Sequence, residues 1–163
     1  MKPNLTSNQV ITTLNLEQHC EGGYFKRTFY SDKTVITEDQ KTRRQLSSIY
    51  YLLTKDSHIS VFAKNNADLI MYYHYGDPLK VIILEENGEA SEKILGPNIL
   101  EGHEFQIQFK TGTCKAYDLM AGEFCLISEA VGPGFEYEDM MMPSFDELSN
   151  QYPKHLDIIK RYT

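Results

Sequence analysis

The sequence predicts an all-β chain, a sandwich or barrel with short helices at its two ends. Three observations carry this. Short apolar runs recur along most of the chain, several alternating with polar residues at the period of a half-buried strand. Clusters of Gly, Pro, Asn and Asp separate these runs, as turns do. No strand–helix–strand rhythm, internal repeat or low-complexity linker is present. With 163 residues, 41% of them hydrophobic and 24% charged, one domain with a real core is expected over residues 1–163.

The elements follow in order. Thr6 or Ser7 can cap a first short helix with Val10, Ile11 and Leu14 on one face. Gly22-Gly23 breaks it, and "YFKRTFY" then alternates as a strand. Residues 31–44 are polar and read as a loop, with the basic "KTRR" on a solvated surface. "LSSIYYLL", "HISVFAK" and "DLIMYYHY" are strands. In "LKVIILEENGEASEKILG", Asn87-Gly88 between apolar runs signals a type I′ hairpin. "FQIQF" puts Phe105, Ile107 and Phe109 on one face and Gln106 and Gln108 on the other. "TCKAYDL" and "EFCLISEAV" are further strands between Gly turns. Near the end, Ser144 and Glu147 form a capping box, and Pro153 can open a last helix carrying Leu156 and Ile159. The core is expected over about 19–143 and the helices over 144–162.

Composition excludes several functions. The net charge of −7 argues against a nucleic-acid partner, which requires a basic face. No apolar run approaches the roughly 20 residues of a membrane span, and "MKPNLTSNQV" lacks a secretory apolar segment. Cys20, Cys114 and Cys125 are odd in number and widely spaced, which reads as reduced thiols in a cytoplasmic protein. Eleven tyrosines without tryptophan suit strands and pockets that need an apolar body with a polar tip.

Several blocks together resemble the cupin_5 family, domain of unknown function 985. They are "EGGYFKRTFYSD", "SSIYYLL", "YYHYGDPL", Leu95-Gly96 with Gly102 and Gln106, "VGPGFEYEDM" and "ELSNQYP", spanning about 19–156 in the family's order. The resemblance implies a double-stranded β-helix, or jelly roll, with a pocket inside the barrel, and a homodimer. The aromatic-rich "YFKRTFY" could cover or extend a sheet edge in such a pair.

Many cupins hold a metal with a His-x-His and Glu motif and a later His. Anchored on Gly76, the Glu position here is Leu69. The His-x-His falls on Phe62 and Lys64, or on Ala63 and Asn65, and the closing His near Cys114 or Lys115. None is a metal ligand of that set, so no metal or other cofactor is expected. Many family members also keep a His-Arg pair and an Asp-Glu-x-Trp step, which here read Ala63-Lys64 and Asp68-Leu69-Ile70-Met71.

The remaining polar groups supply candidates for a metal-free pocket. Alternation places Tyr72 and His74 on one strand face and Tyr73 and Tyr75 on the other, with the inward face open. If Tyr72 and His74 face inward they contact ligand, and in an enzyme they form an acid/base pair. The alternative is a packed His74 satisfied by a backbone carbonyl. Gln106 is a neutral reader of a carbonyl or hydroxyl, Lys64 a candidate for an anionic group, and Phe62 and Tyr117 candidate walls. Glu21 is expected to anchor the Gly-Gly turn by bonding backbone amides, Asp139 to pair with Arg27 or Lys26 or to line the pocket mouth, and Met140–Met142 to pack at a sheet edge or on the terminal helices. The expected function is binding of a small polar, carbohydrate- or nucleotide-like ligand. A metal-free isomerase or epimerase and a non-catalytic interaction module are the alternatives.

Overall fold

A computed structural model describes residues 5–163; the first four residues of the expected domain lie outside the described residues. The chain forms two antiparallel sheets packed face to face. The larger contains β1 (Glu17–Gln18), β2 (Tyr24–Tyr30), β5 (Ser47–Thr54), β12 (Phe124–Gly132), β7 (Asp68–Gly76) and β10 (Gln106–Phe109), in that spatial order. The smaller contains β13 (Met140–Met141), β6 (Ile59–Asn65), β11 (Cys114–Asp118), β8 (Leu79–Leu84) and β9 (Ala90–Leu95). From β5 to β12 the chain passes repeatedly between the sheets, as the jelly-roll architecture requires. A separate hairpin joins β3 (Thr34–Ile36) to β4 (Thr42–Arg44).

The inner faces meet in an apolar core that includes Leu69, Met71, Val81, Ile83, Leu95, Ile107, Phe109 and Ile127. Each such side chain contributes about 1.5–3 kcal/mol on burial. The outer faces are covered differently. Helix α1 (Ser7–Leu14), capped by Thr6 and Gln9, lays Val10 and Leu14 on Leu52, Phe124 and Leu126 of the large sheet. Helices α2 (Phe145–Gln151) and α3 (Leu156–Arg161) cover the small sheet, packing Leu148, Tyr152 and Ile159 on Phe62, Ile82, Leu84 and Ala116. Asp118, fully buried, fixes this end by accepting hydrogen bonds from Tyr162 Oη (2.8 Å) and Arg161 Nη2 (2.7 Å), with His58 Nδ1 at 3.2 Å.

Local details differ from the sequence reading in three places. Residues 31–44 are not all loop, because the β3–β4 hairpin forms there. Arg43 of "KTRR" is buried, and it pairs with Asp139 (2.5 Å) and Glu138 (2.6 Å). Asp139 therefore binds Arg43 and Lys41 rather than Arg27 or Lys26. The 85–89 hairpin exists, but its turn is not type I′. Only Gly88 takes positive φ, Gly88 N–H donates to Glu85 O and Glu85 N–H to Glu89 O, which makes a three-residue loop with a glycine bulge. Met140 and Met141 pair at the edge of β6.

Candidate functional site

One end of the barrel holds a cavity of about 40 Å³. At about 10–15 Å³ per water, that is room for about three waters or a molecule of comparable size. Its polar lining includes Glu21 between β1 and β2, Arg27 on β2, Ser47 and Ser48 on β5, Asn65 at the end of β6, Lys115 and Tyr117 on β11, and Glu129 on β12. Its rim is aromatic. His19 stacks on Tyr137 and meets Phe25 and Tyr51 edge-on, and Phe135 meets Tyr137 edge-on. Tyr137 is 53% exposed at the mouth.

The Gly22-Gly23 turn aims Glu21 into this space. Both glycines adopt positive φ, and a Cβ on Gly22 would collide with the Ile59 carbonyl. The turn is pinned by Tyr51 Oη, which donates to Gly22 O (2.6 Å), and by Val61 N–H, which donates to Glu21 O (2.9 Å). The Glu21 carboxylate then accepts from Ser60 Oγ (3.2 Å). The Glu21 carboxylate is thus a cavity group held by Ser60, and, against the sequence expectation, among the described residues it accepts no backbone amide of the turn.

Desolvation dominates the electrostatics. Burial pushes Glu21 and Glu129 above the ordinary carboxyl range, against the lowering effect of nearby Lys115. Tyr117, held protonated by burial, donates to Glu129 Oε1 (2.9 Å). Burial lowers His19, which keeps its imidazole neutral at pH 7, although Glu129 acts the other way. His19 Nδ1 accepts from Glu21 N–H (3.3 Å), so the neutral ring carries its proton on Nε2. Lys115 is 5% exposed with its ammonium 5.5 Å from the Phe109 ring, and none of the ion pairs among the described residues involves it. Asn65 Oδ1 is buried with no hydrogen-bond partner among the described residues. A buried amide oxygen without a partner, beside an ammonium that has no ion pair among the described residues, calls for a polar molecule.

The residues singled out from the sequence are not brought together. Only Tyr117 lines the cavity. Phe62 lies on the outer face of the small sheet, edge-on to Tyr162 under α3. Lys64 lies in a surface groove beside β13. Tyr72 and Gln106 are register partners on the outer face of the large sheet, Gln106 exposed. His74 is exposed and edge-on to Tyr50 at 5.9 Å. Tyr72 pairs with outward Ser128 and Tyr73 with inward Ile127, so the face that Tyr72 and His74 share is the outer one; a bulge then adds Tyr75 to it. Tyr75 pairs with outward Leu126, so His74 is the extra residue. The inward residues of that strand are Leu69, Met71 and Tyr73.

Of the functional groups found here, Glu129 carries a readable signal: it sits at the i+2 spacing of Cys125, Ile127 and Val131, a lone carboxylate in the apolar stripe of its strand. Lys115 has no such signal, because all five residues of its strand are buried. The residues do not fit a metal. The inward occupants of the motif positions are Ala63, Asn65, Leu69 and Lys115, and the last brings a positive charge. Among the described residues, no three His, Cys, Asp or Glu side chains cluster as metal ligands.

Comparison with known proteins places the chain among relatives. Residues 8–143 match the Cupin_5 family model, described as Cupin superfamily (DUF985). An uncharacterized protein of Saccharomyces cerevisiae, YML079W, is 34% identical over 164 residues, covering 91% of this chain and 81% of the yeast protein. A hypothetical protein from Leishmania major superposes with a TM-score of 0.92 at 25% identity, covering 98% of this chain and 99% of its own. The protein SO0799 from Shewanella oneidensis gives a TM-score of 0.88 at 28% identity, covering 98% of each chain.

Proposed function

The chain belongs to the Cupin_5 family, and we propose that its barrel binds a small polar ligand without a metal, through Lys115, Glu21, Glu129 and Asn65. The observation that carries this is the Lys115 ammonium lining the barrel cavity without a close ion pair among the described residues, near the buried Glu21 and Glu129 and the unpartnered Asn65 Oδ1. Burying an ion costs several kcal/mol and is sustained where a partner completes it. The interior suits a compact ligand with both donors and acceptors, because it offers the Lys115 ammonium and the Arg27 guanidinium, two carboxylates that bind protons readily, and a neutral imidazole. A carbohydrate- or nucleotide-like molecule would place a polar end inside and its body against the rim of His19, Phe25 and Tyr137.

We further propose that the protein is cytoplasmic and works as a homodimer without nucleic acid. The net charge of −7 supports the last point. No helix among the described residues is long and apolar enough to cross a membrane. Beyond the two-residue β1, the outer edge of β2 is unpaired over Lys26–Tyr30 and carries the exposed Phe29, which supports pairing through that edge.

A saturation-transfer NMR screen of polar molecules with about six heavy atoms or fewer tests the binding site. Hits are expected on the wild type and on His74→Ala, and loss of the same hits on Lys115→Met. Hits that survive Lys115→Met unchanged would place the ligand elsewhere.

A further inference from the structure

Resting on that binding reading, we propose that the cavity catalyses a proton shift between adjacent carbons of a small α-hydroxy carbonyl compound, with Glu129 as the base and Lys115 as the cation facing the developing oxyanion. Three features lead to this class. Room for about three waters, at about 30 Å³ of liquid volume each, is roughly the volume of a three-carbon hydroxyaldehyde or hydroxyketone and not of a whole hexose. Glu129, Glu21 and Lys115 line that same small space, so a ligand there meets a proton acceptor and a fixed positive charge together. Tyr117 holds the Glu129 carboxylate by its Oε1, which leaves the other oxygen to act and makes Tyr117 a positioning residue.

The step balances without oxidant or reductant. Glu129 takes the proton from the hydroxyl-bearing carbon of an aldose, and the C–H electron pair forms the carbon–carbon double bond of an enediolate. The carbonyl π pair moves onto its oxygen, opposite the Lys115 ammonium. The hydroxyl proton passes to that oxygen, with Glu21 as the group placed to carry it, and the new carbonyl forms. Glu129 then returns its proton to the former carbonyl carbon, giving the ketose. A carboxylic acid of raised proton affinity suits both halves of this cycle near neutral pH. Lys115 does the work that a cation does in other enolising sites.

The test uses glyceraldehyde in D2O with the full-length protein. Wild type and His74→Ala are expected to wash deuterium into C2 and to form dihydroxyacetone at least tenfold faster than the protein-free blank. Glu129→Gln is expected to lose at least tenfold of that rate while keeping its saturation-transfer contact with glyceraldehyde. Lys115→Met, a second variant should Glu129→Gln fold poorly, is expected to lose both. Contact without exchange above the blank overturns the catalytic inference and leaves binding standing. Exchange that persists in Glu129→Gln overturns the role of Glu129. If glyceraldehyde makes no contact with wild type, the hydroxycarbonyl class is wrong, and the binding proposal is judged by the screen alone.

Discussion

Two neighbouring rows of side chains cross the large sheet one residue out of step, and they differ in what surrounds them. The outer row runs Lys26, Tyr50, Ser128, Tyr72, Gln106; the inner row runs Arg27, Ile49, Glu129, Met71, Ile107. The outer row is polar throughout, yet water satisfies its exposed members at little cost. The inner row holds one carboxylate between apolar Ile49 and Met71, with Arg27 at the row's end, and desolvation pushes the carboxylate's proton affinity up. The contrast shows that the number of polar groups does not mark a site here. A polar group held out of water, beside a cation with no ion pair, does.

The sharpest ways to break this contrast concern the structural parts of each region. Phe62→Ala should cost about 3–5 kcal/mol in urea unfolding, because Phe62 packs under Tyr162 on the outer face of the small sheet. Its binding of small polar ligands should be unchanged at protein concentrations where it remains folded. Loss of binding in a folded Phe62→Ala protein would return Phe62 to the pocket. Gly22→Ala should cost about 3 kcal/mol, from positive φ combined with the clash against Ile59 O. Gly88→Ala, where a Cβ meets open space, should cost about 1 kcal/mol. Equal costs would show that the Glu21 turn is not tightly built.

The buried carboxylate gives a smaller, pH-dependent effect. A carboxyl bound more tightly to its proton in the fold stabilises it below the ordinary value of 4.5 and loses that contribution as pH rises through the raised value. Wild-type stability should therefore decline on that side as pH climbs above about 4.5, and Glu129→Gln should flatten the decline. At pH 7 the variant should be more stable, by on the order of 1 kcal/mol. A variant with the wild-type slope would mean that Glu129 is solvated. Smallest of all, His74→Ala should change stability by less than about 1 kcal/mol and binding not at all.

Much of the fold is legible in the sequence because its cues are local. Thr6 with Gln9 and Ser144 with Glu147 cap helices through residues three apart, and Ile107 and Phe109 alternate into the core as their spacing indicates, although Phe105, expected on the same face, precedes the strand and is exposed. The candidate site is not local. Glu21, Asn65, Lys115 and Glu129 come from four separate segments, and only the topology makes them neighbours. Alternation assigns Tyr72 and His74 to one face but says nothing of which face is inward, and it carries no sign of the bulge at His74. The Asn87-Gly88 signal locates its hairpin, yet the turn type depends on the length of the loop that the strand register leaves open.

The most direct measurement is a crystal structure of the protein soaked with glyceraldehyde or with a hit from the small-molecule screen. The molecule is expected inside the barrel, with an oxygen within hydrogen-bond distance of Lys115 Nζ and another group facing Glu129. A molecule bound on the outer face of the large sheet beside His74, Tyr72 and Gln106, with only water near Lys115, would contradict it.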